Sequence, residues 1–319
     1  MCYDKQKSSV LLEGVIHLNR LKHSSFIGIL LVTIGATLWG VSGTVAQYLF
    51  HTKGINTEWL VTVRLLFSGL LLLLFGYLKE GKSVYRIWRT KKDAISLILF
   101  SILGMLAVQY TYFAAIEHGN AATATVLQYT APVMITCFLI VRYRKLPSGI
   151  EITAVFVAVL GTFSLVTQGN INSLSISPLA LFWGLLSAVS LAFYTLHPHK
   201  LLANWGSVIV VGWGMFVGGV VFSFIHTPWD FRGEASLTTI LAILFIILFG
   251  TLVAFVFYLE SLKYIGATKA SILANFEPLS AALLAVLWLN VPFGVMEWIG
   301  TFCILGTVGL LSMVKKEKP

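Results

Sequence analysis

An all-α polytopic membrane protein, with ten transmembrane helices forming two inverted five-helix repeats, is the fold class that the sequence predicts. Three observations carry this expectation. Ten apolar runs are each long enough to cross a bilayer, Lys and Arg fall on one side of them, and a 21-residue pattern recurs 146 positions later. The 319 residues are 57% hydrophobic and 11% charged, with a mean hydropathy of +0.87. A soluble domain carries about 25% charged residues.

A helix needs about 20 residues to span a hydrocarbon core of about 30 Å. Runs of that kind cover 26–49, 59–78, 94–116, 121–142, 150–167, 178–196, 207–226, 238–262, 268–288 and 294–314. Most links between them are short, which favours antiparallel neighbours in one bundle. The polar, basic leader 1–25 is weakly amphipathic over 8–21 and is expected as a loose cytoplasmic tail. The first run is too long for the core of a cleavable signal. Residues 315–319 form a basic cytoplasmic tail.

Orientation follows from the basic residues, which collect on the cytoplasmic side. Nineteen of the 22 Lys and Arg lie in the leader, the tail and alternate links. Lys53 and Arg232 alone fall in the opposite links, and Arg64 lies within a span. Both ends are therefore expected inside. The +9 net charge reflects this topology: the basic residues form no aromatic-interleaved patch, so no nucleic-acid partner is expected. Cys2, Cys137 and Cys303 are too far apart in sequence for a disulfide framework or a zinc site. The string "HPHK" at His197 is expected to end the sixth helix, not to hold a metal.

The repeat is read from "YFAAIEHGNAATATVLQYTAP" (112–132) and "YLESLKYIGATKASILANFEP" (258–278). They align without a gap and share Tyr112/Tyr258, Ala121/Ala267, Ala124/Ala270, Leu127/Leu273 and Pro132/Pro278. "LGTFSLV" at Leu160 answers "LGTVGLL" at Leu305, and Trp39-Gly40 answers Trp183-Gly184. Repeats of 26–167 and 178–314 hold five spans each. Five is odd, so the second half enters the membrane from the opposite side. A pseudo-two-fold axis in the membrane plane is the plan of many secondary transporters, with the substrate site near the midplane.

Within that frame "ILANFEPLSA" (272–281) carries the most chemistry. Glu277 lies eight residues beyond Lys269, about 12 Å at 1.5 Å per residue, close to the midplane. A charge there costs about 2.5–3.5 kcal/mol on insertion scales, so it is expected to face protein or a wet cavity. It reads as a cation, amine or proton-coupling contact, or as a structural carboxyl. Pro278 and its counterpart Pro132 loosen their helices and free carbonyls, as paired helix breaks near a binding site do; compensated kinks are the other reading. Asn275, Ser271 and Gln128 are buried amides and a hydroxyl that bond either cargo or neighbouring helices. Arg64 is read as a structural charge, snorkelling or capping carbonyls, and a direct pair with Glu277 is not expected.

"ATLWGVSG", "VRLLFSGLLLL", "ATATVLQYTAP" and "ATKASILANFEP", set in the ten-span duplicated plan, resemble the EamA-type transporters of the drug/metabolite transporter superfamily. The resemblance covers about 26–314. It implies a metabolite or amino-acid carrier, often an exporter, in a bacterial inner membrane, with a cavity lined mainly by helices 1, 3, 4, 6, 8 and 9. Trp39, Tyr112, Trp183 and Tyr258 fall on such helices, with Tyr110, Tyr194, Gln47 and Gln109 as weaker candidates. They stack on cargo or hold cations, or else pack and anchor.

The expected function is secondary transport of small metabolites, most readily export of amino acids, by alternating access between the halves. Nucleotide-sugar or drug carriage on the same fold, or a membrane-embedded sensor, is the alternative. No phosphate-binding loop is present for ATP, so protons or exchange are the candidate drives. No nucleophile–base set or metal spacing lies in the spans, so no enzyme and no cofactor are expected. Partners are the cargo and the bilayer, for a monomer or homodimer.

Overall fold

The computed structural model describes residues 2–144, 146–168 and 175–313; the side chains of 2–24, 263, 266–268 and 271 lie outside the description. Among the described residues the chain is all-helical. Eight helices are long and apolar enough to cross a membrane, and two shorter apolar helices, Ser207–Phe222 and Phe276–Leu287, accompany them.

Helix α1 is Cys2–His51, of which Ser25–His51 is the apolar part. The leader, expected as a loose tail, carries helical backbone continuous with α1; it holds no proline and one glycine, Gly14. Its side chains, and all of 315–319, lie outside the described residues. Asn56 caps α2 (Thr57–Glu80) by accepting from the Trp59 N–H. A 3₁₀ segment, Gly81–Arg89, leads into α3 (Lys91–Leu99), a π segment (Phe100–Leu106) and α4 (Ala107–Glu117), which together make one span. The expected span 121–142 is divided into α5 (Ala121–Gln128), capped by Asn120, and α6 (Ala131–Tyr143). Helix α7 (Gly149–Thr167) starts with a Ser148/Glu151 capping box, in which each side chain takes up the other's orphan N–H.

The second half begins with α8 (Pro178–Leu196), with proline in its first turn. The short α9 (His199–Trp205) and α10 (Ser207–Phe222) follow. Helix α11 (Leu237–Ile247) passes through a second π segment (Leu248–Val253) into α12 (Ala254–Leu273). The sequence places a turn at 263–267, between the eighth and ninth spans. The helix runs through it instead, because a lone glycine weakens a helix by about 1 kcal/mol without ending it. The break falls at Ala274–Asn275, and α13 (Phe276–Leu287) starts there. Helix α14 is Val295–Ser312.

Helix α1 packs on α12 and α13, α4 on α8, α2 on α10, α5 on α13, and α7 on α14. The core gathers Leu49, Leu60, Phe100, Met105, Phe113 and Ile116. Phe138, Phe156, Val159 and Leu241 point outward and stay exposed. Large apolar side chains exposed in this number suit a lipid solvent.

Candidate functional site

Two helix restarts meet at the centre of the site. Pro278 occupies the first turn of α13 and Pro132 the first turn of α6. A first-turn N–H has no intrahelical acceptor, so proline costs little there. What proline does remove is the bond that the carbonyl four residues earlier would accept. For Pro278 that carbonyl belongs to Ala274. It accepts instead from the Glu277 N–H at 2.9 Å and from the Tyr129 hydroxyl at 2.8 Å. Tyr129 sits in the break between α5 and α6. Its hydroxyl also lies 3.1 Å from Glu277 Oε2. One phenol thus bridges both breaks.

Helix α1 closes over this point at Gly40. A Cβ there would stand 2.3 Å from the Glu277 carbonyl and 2.1 Å from Ser280 Oγ, so no larger residue fits without moving backbone. The Thr44 hydroxyl lies 3.2 Å from the Gly40 carbonyl and 3.5 Å from that of Ala281. Ser280 Oγ donates to the Glu277 carbonyl at 2.9 Å. One turn along, a Cβ at Gly43 would meet Tyr112 Oη at 2.5 Å. That hydroxyl shares a 2.8 Å bond with Thr125 on α5. Trp39 packs on Tyr258 at 5.3 Å and on Phe255 at 5.2 Å between ring centroids. Glu277 lies within Coulomb range of Arg64, Tyr112, Tyr129 and Tyr258.

Arg64 is 6% exposed. It donates through Nε to Thr251 Oγ1 at 3.0 Å, and its guanidinium carbon lies 4.8 Å from the centre of the Phe113 ring. Thr251 stands in the π segment before α12 and gives its own hydrogen to the Ile246 carbonyl, 2.9 Å away. A side chain hydroxyl and a ring hold this arginine, in place of the backbone carbonyls that the sequence suggests.

The other candidates separate from this cluster. Asn275 turns toward α14, where Nδ2 donates to the Leu305 carbonyl at 3.3 Å, and its Oδ1 has no partner. Gln128 is buried on α5, and the Ser271 side chain lies outside the described residues. Trp183 packs on Tyr110 at 5.5 Å, whose hydroxyl donates to Glu58 at 3.3 Å. Tyr194 packs on Phe100 at 5.3 Å. Gln47 Oε1 accepts from the Ala121 N–H at 2.8 Å, a cap on α5. His197 of "HPHK" bonds the Ser96 carbonyl at 3.0 Å, and among the described residues no cluster of His, Cys, Asp or Glu is arranged for a metal. A groove of about 480 Å³ opens between α6 and α7, lined by Cys137, Val141 and Phe156 among others; it faces outward and shares no residue with the Glu277 cluster.

Sequence reading passed over Tyr129. The signal was present, since Tyr129 aligns with Asn275 in the repeat. It also passed over Glu297, 6% exposed, which takes a hydrogen bond from Gln168 and caps the Gly294 N–H at 3.0 Å.

The model of the EamA-like transporter family matches residues 26–167 and 178–313. The chain is 42% identical over 291 residues to the uncharacterized inner membrane transporter YicL of Salmonella typhimurium, covering 91% of this chain and 97% of that one. It is 26% identical over 260 residues to the uncharacterized inner membrane transporter YedA of Escherichia coli, covering 79% and 80%. A solved crystal structure shares the fold, with a TM-score of 0.59 at 15% identity over 91% of this chain and 97% of the other.

Proposed function

The chain belongs to the EamA-like transporter family, and from that membership we propose a secondary transporter that exports amino acids or related small metabolites. It works by alternating access between two inverted five-helix halves, 26–167 and 178–314. Both ends lie in the cytoplasm and the membrane is the bacterial inner membrane, the setting printed for the relatives in Salmonella and Escherichia coli. The protein transports without catalysing a reaction, and one chain holds both halves, so a monomer suffices.

The Tyr129–Glu277 contact carries this reading. It joins a helix break of one half to the matched break of the other, beside a carboxylate near the proposed midplane. Discontinuous helices at a repeat interface supply transporters with carbonyls and end-dipoles for cargo. The helix pairings support the same plan. Helix α1 on α12 has its counterpart in α8 on α4, and the pairs α2–α10, α5–α13 and α7–α14 each join equivalent spans. A two-fold axis generates that pattern.

Carriage of nucleotide sugars or drugs on this fold is the competing function. The deciding experiment measures extracellular metabolites from a bacterial host expressing the wild type or Glu277→Gln at equal membrane levels. Accumulation of amino acids by the wild type, lost in the variant, is the expected result. Accumulation that survives the substitution returns Glu277 to a structural role. No accumulation over the empty host overturns export.

A further inference from the structure

Helices α6 and α7 follow one another in the chain, yet each uses its packing face on another partner. On α7 the buried Ala154, Ala158, Gly161 and Leu165 recur every three or four residues, which is one face of a helix. That face meets α14, where a Cβ at Gly161 would stand 2.9 Å from the Gly300 carbonyl. Helix α6 leans on α8 and α14, and its buried residues, Ala131 and Val133, belong to its first turn. Between the two helices Cys137, Val141, Phe156 and Val159 are left facing the groove of about 480 Å³.

This groove has a charged end. Helix α6 stops at Arg144, in the left-handed conformation, and α7 starts at Gly149. Val141, Pro147 and Glu151 therefore form the mouth, and Cys137 and Val159 lie deeper. Arg142 follows Val141 in the chain, and both Arg142 and Arg144 are exposed. Neither forms an ion pair with a carboxylate among the described residues. Glu151 is the one charged residue lining the groove. Its Oε2 accepts the Ser148 N–H at 2.7 Å, and its charge offsets one arginine. Tyr143, exposed between the two arginines, suits a membrane–water interface.

We infer that this groove binds an anionic phospholipid, with one acyl chain between α6 and α7 and the headgroup phosphate against Arg142 and Arg144. Apolar walls alone would take any lipid, whereas basic residues at the mouth of a groove between spans select an acidic one. Arginine holds a phosphate through parallel N–H···O bonds. A second copy of the chain is the poorer occupant, because an isologous contact would set the arginines against their own image. The lipid site stands apart from the cargo and from the direction of transport. Its effect reaches the other end of α6, which restarts at the Tyr129 break. A lipid wedged against α7 supplies the packing that fixes how α6 leaves that break.

Photo-crosslinking of the purified full chain in phosphatidylcholine vesicles tests this. Two tracer lipids carry identical chains with a diazirine midway and differ in headgroup, phosphatidylglycerol or phosphatidylcholine. Adducts are mapped to residues by mass spectrometry after digestion. Phosphatidylglycerol should label the segments holding Cys137 and Phe156 about fivefold over phosphatidylcholine, the effect of one uncompensated arginine. Labelling at Leu241 on α11, exposed on another helix, should show no such excess. The excess should vanish in Arg142→Gln/Arg144→Gln. It should vanish also in Val155→Trp, which fills the groove and leaves both arginines in place. Equal labelling by the two tracers would make the groove ordinary lipid boundary and overturn the site. An excess that survives the double substitution would overturn the headgroup contact. A groove that neither tracer labels, with cross-links between chains in its place, would give it to a second copy and overturn the lipid.

Discussion

Arg64 on α2 and Thr251 in the π segment between α11 and α12 are joined by one hydrogen bond. Arg64 Nε donates at 3.0 Å to a hydroxyl whose own hydrogen is committed to the Ile246 carbonyl. The chain supplies that carbonyl because the π segment after it interrupts the ordinary helical ladder. Thr251→Val keeps the shape and removes the acceptor. A buried charged donor left unsatisfied costs about 1–3 kcal/mol or more, so the thermal midpoint of the purified protein should fall. Serine at 251 should restore most of it. An unchanged midpoint in the valine variant would remove Thr251 from the support of Arg64.

Gly40 is where α1 and α13 touch backbone to backbone. Gly40→Ala must displace the Glu277 carbonyl, 2.3 Å from the added Cβ, and overpacking costs about 1–3 kcal/mol. Release of cargo should drop sharply while the protein still reaches the membrane. Gly149→Ala, which meets nothing within 4 Å, is the silent control, and equal activity of the two variants would refute the crossing.

The Asn275 amide separates glue from cargo contact. Its Oδ1 is buried without a partner, so Asn275→Leu should leave stability nearly unchanged. A fall in transport at constant melting temperature would place cargo on Oδ1. Parallel losses of stability and transport would mark Asn275 as packing.

Lys53 and Glu234 pin the loop before α11 to the loop after α1. Their side chains meet at 2.7 Å, and the Glu234 N–H donates to the Lys53 carbonyl at 2.9 Å. The hydrogen bond and charge of Lys53 hold the Glu234 carboxyl below its ordinary value; Glu234 raises the Lys53 ammonium above its own, against some desolvation. The Glu234 contribution is present above its unfolded pKa and is lost as pH falls through the depressed folded one. The Lys53 contribution is present below its unfolded pKa and is lost as pH rises through the raised folded one. Protection of the Glu234 amide against hydrogen exchange, corrected for intrinsic chemistry, should therefore be greatest near neutrality and fall at both extremes. A flat profile would show that the backbone contact stands without the ion pair.

The same edge must open if cargo leaves there. With Cys2, Cys137 and Cys303 replaced, Lys53→Cys and Glu234→Cys bridged by a short cleavable thiol reagent should arrest release, and cleavage should restore it. Release that continues through the bridged state would exclude opening at this edge.

What the sequence made legible was whatever rests on local composition. The apolar runs mark the spans because each needs its own length of oil, and Glu277 stands out because a carboxylate within such a run is costly. Tyr129 was marked only by its place opposite Asn275 in the repeat, because tyrosine is at home in any apolar helix and its importance lies in reaching Ala274, 145 residues away. The π segments escaped for the same reason, since an inserted residue in a helix leaves no compositional mark. The span bounds put a link at 263–267, whereas the break falls at Ala274–Asn275, where Pro278 denies Ala274 its usual donor.

Helix α10 has 16 residues, a rise of about 24 Å at 1.5 Å per residue, against a hydrocarbon core of about 30 Å. Its longer neighbour α2 runs for 24 residues, so the shortfall is confined to one flank of the molecule. Just beyond α10, Phe224, Ile225 and Trp229 are exposed at 88%, 71% and 80%, offering greasy side chains where the leaflet would otherwise have to stretch. A bilayer that meets this flank would have to thin beside α10, with these three residues at its edge. Acyl-chain length then becomes a mechanical load on the α2–α10 contact, and turnover in short-chain vesicles should exceed turnover in long-chain ones at equal protein density.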